Sequence, residues 1–120
     1  MTHANIEIQG RDCLLTLDGH AEYNPGCDIV CAGISAVVYT LAGYLYNAED
    51  HVHQMKDHRL DPGHVRILCN GDAFVREAYR MAAIGLAQIG AVYPDHLTVM
   101  IKIGDSIEKY GNEGANGEKE

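Results

Sequence analysis

The sequence predicts an α+β protein, a two-layer α/β sandwich in which two helices cover one face of a largely antiparallel or mixed sheet. Three observations carry this. Apolar residues recur with a period of two over several short segments, as strands with one buried face require. The period changes to 3.6 over two longer segments, residues 28–46 and 73–91, as helices with a single apolar stripe require. The segments follow one another as ββαββαβ without an internal repeat. Two helices suffice for one sheet face, which leaves the other to solvent or to a second copy of the chain.

The first strand spans residues 3–9, with Ala4, Ile6 and Ile8 on one face and Asn5, Glu7 and Gln9 on the other. Gly10, Arg11 and Asp12 supply a turn into a second extended run over 13–20, where Cys13, Leu15, Leu17 and Gly19 share a face. The pair reads as a hairpin. Ala21 to Cys27 is a loop, because Asn24, Pro25 and Gly26 forbid regular structure. Ile34, Val38, Leu41 and Leu45 then mark a helix with Asp28 as its N-cap, the carboxylate accepting orphan N–H groups of the first turn. Residues 51–58 and 64–70 are strands around an Asp61-Pro62-Gly63 turn, with Val65, Ile67 and Cys69 on one face. Asp72 caps a second helix running to about Ala91, with the stripe Val75, Ala78, Ala82, Leu86 and Ile89, and Pro94 stops it. In the last strand Leu97, Val99, Ile101 and Ile103 alternate with His96, Thr98, Met100 and Lys102. That regularity predicts a strand inside the sheet. The remainder, YGNEGANGEKE, is too poor in apolar residues to offset the entropy of ordering it. The expected organisation is one domain over 1–108 and a disordered tail over 109–120.

Composition narrows the function. Nine Lys and Arg stand against seventeen Asp and Glu, a net charge of −8. Binding to a phosphate backbone depends on basic side chains, so nucleic acid is an unfavourable partner and a basic polypeptide a favourable one. The chain has no run approaching the ~18–20 consecutive apolar residues of a membrane span, and its start lacks the features of a signal peptide. It reads as cytoplasmic. Cys13, Cys27, Cys31 and Cys69 are then expected as free thiols, with no CxxC pair or zinc-type spacing among them.

Chemistry concentrates where the second strand gives way to the first helix. Cys31 falls about three residues after the Asp28 cap, where unsatisfied N–H groups and the helix dipole favour a thiolate. Ten residues separate it from His20, a loop short enough to close at little entropic cost. The two side chains suit a dyad in which imidazole takes the thiol proton and later protonates a leaving amine. The competing reading makes Cys31 a small buried hydrophobe. On a helical wheel it lies within about 60° of Ile34, Ser35, Val38 and Leu45 and so faces the core stripe.

The run GHAEYNPGCDIVCAGIS, residues 19–35, resembles the signature of the ribosomal-processing cysteine protease family, with GHA, GxDIVCA and Ser in register. The resemblance implies Cys31 as nucleophile, His20 as general base, and Asp28 and Ser35 as supporting residues. It also implies a homodimer that needs no cofactor and no metal. The implied substrate is a basic ribosomal protein of the large subunit, which loses a short N-terminal extension by a cut after apolar, aromatic residues. Apolar side chains around the Cys31 helix and its tyrosines are the expected pocket. Three features depart from the family pattern: Pro25 in the loop, Cys27 before Asp28, and Gly33 in place of a second alanine. None removes the dyad.

Other signals are weaker. His51 and His53 share a face if their segment is a strand, with His58 and His64 near, but no cysteine or carboxylate completes a standard zinc spacing. Cys27 and Cys31 form a CxxxC pair supported by nothing else. Tyr39, Tyr44 and Tyr46 on the first helix suit packing or a groove. The function expected is therefore a cysteine endopeptidase, and its rival is a non-catalytic peptide-binding or ribosome-assembly module of the same fold.

Overall fold

The computed structural model describes residues 1–19, 28–104 and 106–107. The elements are β1 (Thr2–Gln9), β2 (Asp12–Asp18), α1 (Asp28–Asn47), β3 (Val52–Asp61), β4 (His64–Gly71), α2 (Ala73–Val92), β5 (Leu97–Ile103) and a two-residue β6 (Ser106–Ile107). They form one mixed sheet in the order β3-β4-β2-β1-β5-β6. β1 and β5 are parallel, and every other neighbouring pair is antiparallel. The reason lies in the connections. Turns join β1 to β2 and β3 to β4, whereas β4 reaches β5 through α2, a crossover long enough to return the chain in the same direction. The expected α+β sandwich and its ββαββαβ order are present, with β6 as an addition after Gly104.

Alternation puts Ala4, Ile6 and Ile8 of β1, Cys13, Leu15 and Leu17 of β2, and Ile67 and Cys69 of β4 on the helix-facing side, all buried. From α1 the same core receives Val30, Ile34, Val38, Leu41 and Leu45. Uncharged from Ile29 to Asn47 and with a mean hydropathy of 1.7, α1 is long and apolar enough to cross a membrane by length and composition alone. Ser35, Thr40 and several glycines and tyrosines interrupt its apolar run without adding charge. Here its apolar stripe lies in the core of the sandwich.

The α2 stripe differs from the expected one. Val75, Tyr79, Ala82, Ala83 and Leu86 are buried, while Ala78 and Ile89 are only partly so. Tyr79 is fully enclosed because its hydroxyl donates to the Ile67 carbonyl at 3.1 Å and lies 3.5 Å from Cys69 Sγ. A polar tip with partners removes the objection to burying it. β5 lies inside the sheet, as its regularity suggested, between β1 and the two residues of β6. The proposed tail, 109–120, lies outside the described residues.

Asp72 caps α2 as expected, its Oδ1 accepting from the N–H groups of Phe74 and Val75 at 2.9 and 3.3 Å. Its second oxygen accepts from His51 Nδ1 at 2.6 Å, and the imidazole also lies against Phe74 with ring centroids 4.6 Å apart. These bonds, the one from His51 foremost, hold the Asp72 carboxyl below its ordinary range. A depressed carboxyl stabilises the fold above its unfolded value, and that contribution disappears as pH falls through the folded value. Asp72→Ala is therefore expected to lower Tm at pH 7, with the gap from wild type narrowing as pH falls below the ordinary carboxylate range. A gap independent of pH in thermal melts would show that the ionised carboxylate does not supply the effect.

Candidate active site

One end of the sheet collects the start of β1, the end of β2 and the β3–β4 turn, and the first half of α1 stands over them. Between these parts is a cavity of about 220 Å³. From α1 it is lined by Cys31, Ile34, Ser35, Val38 and Tyr39, and from the sheet by Thr2, Leu17, Gly19, Val65 and the hairpin residues Leu60 to Gly63. Cys31 is exposed. Its wheel neighbours Ile34 and Val38 are buried, yet the helix start overhangs the sheet end, so the same direction that buries them opens Cys31 to the cavity. The buried-hydrophobe reading of Cys31 is thereby corrected. Ser35 lines the cavity one turn further along α1, and Asp28 is the first residue of the helix. His20, Cys27 and the loop from Glu22 to Cys27 lie outside the described residues.

Gly19, the first residue of the GHA run, has a structural explanation. Its φ is +102°, a conformation L side chains rarely adopt, and a Cβ on it would stand 2.3 Å from the Met1 carbonyl oxygen. Its N–H donates to the Gly63 carbonyl at 3.0 Å, joining the end of β2 to the β3–β4 turn. One rung earlier, His64 Nδ1 donates to Asp18 Oδ1 at 2.7 Å. The point from which the chain departs towards His20 is thus fixed by backbone and side-chain bonds together.

The hairpin wall was not foreseen. Asp61, Pro62 and Gly63 read in the sequence as a turn and nothing more, because only the non-sequential strand order brings that turn opposite α1. The histidines proposed as neighbours are instead dispersed: His51 pairs with Asp72, His53 lies against Arg11, and His64 pairs with Asp18. Among the described residues no three His, Cys, Asp or Glu side chains converge as a metal site.

The remaining thiols have a different environment. Cys13 and Cys69 face each other across β2 and β4 and are fully buried. Burial first, and then the neighbouring Cys69, push the Cys13 thiol up to about 12, and burial likewise raises Cys69. Iodoacetamide at pH ~8 is expected to modify Cys31 in the folded protein while leaving Cys13 and Cys69 unmodified. Peptide mapping reads the result, and modification of Cys13 at the rate of Cys31 would contradict this assignment of environments.

The fold that carries this cysteine is shared with known proteins. Residues 1–98 match the sequence model of the family described as cysteine protease Prp. The chain belongs to the Prp family. No individually curated protein matches it. Among solved structures, protein SMU.848 of Streptococcus mutans is similar at 24% identity and a TM-score of 0.68, covering 86% of this chain and 98% of its own. The ribosomal processing protease Prp of S. aureus, solved with a covalently linked product peptide, is similar at 21% identity and a TM-score of 0.71, covering 85% and 100%. The same S. aureus protease with a substrate peptide gives a TM-score of 0.65. These likenesses establish a shared fold over about 85% of the chain, and the Prp family assignment supplies the cysteine protease chemistry.

Proposed function

We propose that this protein is a cysteine endopeptidase in which Cys31 is the nucleophile and His20 the general base, and that it removes a short N-terminal extension from a basic large-subunit ribosomal protein. The observation that carries the reading is the position of Cys31, exposed in the first turn of α1 and on the wall of the cavity. His20 takes the thiol proton, and Cys31 Sγ attacks the scissile carbonyl carbon to form a C–S bond. The oxyanion that results is met by backbone N–H groups at the start of α1, which have no intrahelical partners. Collapse breaks the C–N bond, the proton passes from His20 to the leaving amine, and an acyl-thioester remains. Water activated by the same imidazole then releases the acid and regenerates the thiol. Asp28 at the head of the helix and Ser35 beside the cavity act as supporting residues. The step needs neither metal nor cofactor.

The substrate assignment draws on the S. aureus relative, which is a ribosomal processing protease. It also agrees with the net charge of −8, which favours encounter with a basic protein. The Prp resemblance further implies a homodimer, and the compartment proposed for it is the cytoplasm. Mass spectrometry of the large-subunit protein before and after incubation tests the reading, and an unchanged mass would overturn it. His20→Ala is expected to lower turnover at neutral pH with partial recovery as pH rises and the thiol ionises unaided. A pH profile parallel to wild type would remove His20 from the role of base.

A further inference from the structure

The wall opposite Cys31 carries a group for which the cysteine chemistry has no use. Leu17, Ile34, Val38, Leu60 and Val65 make the cavity largely apolar, yet Asp61 stands on its hairpin side. Among the described lining residues it is the one carboxylate. Its side chain keeps 65% of its exposure, and its ion-pair partner Arg59 approaches no closer than 3.9 Å, Nε to Oδ2. A pair this loose and this exposed is weak and exchanges readily. The place of Asp61 is nevertheless well defined. It sits opposite His64 at the last rung of β3 and β4, beside the turn that Gly63 fastens to Gly19. The protein thus presents a fixed, solvated negative charge at the edge of an apolar cavity.

We propose that Asp61 is a specificity-determining residue that receives a cationic side chain of the substrate, so that the preferred segment pairs an apolar residue in the cavity with a Lys or Arg nearby. This deepens the proposed function and rests on it. Non-specific attraction between a protein of net charge −8 and a basic partner has no positional preference. A carboxylate at one point of the cavity wall has one. The two effects are therefore separable by moving a single positive charge along a peptide. Arg59 is the internal competitor: it occupies Asp61 when no substrate cation is present and gives way when one arrives.

The test uses peptides that share an apolar core and carry one lysine, moved position by position, each paired with its norleucine counterpart of nearly equal bulk. In the wild-type protein, kcat/KM is expected to be about two- to fivefold higher for lysine than for norleucine at one position, the scale of a solvated ion pair. Asp61→Asn should bring that ratio to about one, Asp61→Lys should transfer the preference to a glutamate peptide, and Arg59→Gln should raise the lysine ratio. The same ratios read as binding by fluorescence anisotropy on Cys31→Ala do not require turnover. An Asp61→Asn ratio equal to wild type, in cleavage and in binding, would overturn the proposal while leaving the protease reading intact. Peptide binding without cleavage by the wild-type protein would instead count against the protease reading, and the anisotropy ratios would still decide the role of Asp61.

Discussion

Cys31→Ser is expected to leave the fold unchanged and reduce peptide cleavage by about 10⁴-fold or more, the scale seen when a covalent nucleophile is removed. The fold is retained because Cys31 is exposed and its replacement leaves the core contacts of Val30, Ile34 and Val38 in place. Activity is lost because a serine hydroxyl stays protonated where a thiol ionises, and a general base suited to the thiol does not make up the difference. The comparison with the other thiols sharpens the result. Cys13→Ser and Cys69→Ser should cleave nearly as wild type but unfold more easily, since each places a hydroxyl in the core at a cost of about 1–3 kcal/mol if it finds no partner. Cys69→Ser should suffer less, because Tyr79 Oη is within reach of that position. Circular dichroism and a cleavage assay on the three variants decide the matter. Near wild-type turnover by Cys31→Ser would make Cys31 a structural residue.

Gly19→Ala should be the most damaging single-methyl change at this end of the sheet. Forcing an alanine to φ near +102° costs about 1–3 kcal/mol in backbone strain. The new Cβ also meets the Met1 carbonyl at 2.3 Å. That carbonyl has little freedom to retreat, because Thr2 N–H donates to the His96 carbonyl at 3.0 Å and Thr2 is in register with Leu97 of β5. Tm is expected to fall by about 5–15 °C. Cleavage should fall further than the loss of folded protein explains, since the Gly19 to Gly63 bond anchors the segment leading to His20. An alanine variant with wild-type Tm and kcat/KM would mean that the backbone there shifts without cost.

What the sequence determined by itself was local. A period of two placed Ala4, Ile6 and Ile8, and then Cys13, Leu15 and Leu17, on the buried face, and a side-chain period fixed by covalent geometry needs no tertiary information. The 3.6 period located both helices, and Asp72 announced the start of the second because capping is settled within four residues. Cys31 and His20 stood out through spacing and a run of matching residues, and the Prp family match agrees with that run. Tertiary structure decided the rest. Whether Cys31 is buried or exposed depends on where α1 overhangs the sheet, which its own stripe does not encode. The depth of Tyr79 depends on a carbonyl twelve residues away, at Ile67, that satisfies its hydroxyl. Asp61 became part of a cavity wall because β3 pairs with β4 at the sheet edge while β2 lies on the other side of β4, an order set by which faces can be buried together. Periodicity records the environment of a residue along its own element; the partners across a cavity come from elements far apart in the chain, and only their packing brings them face to face.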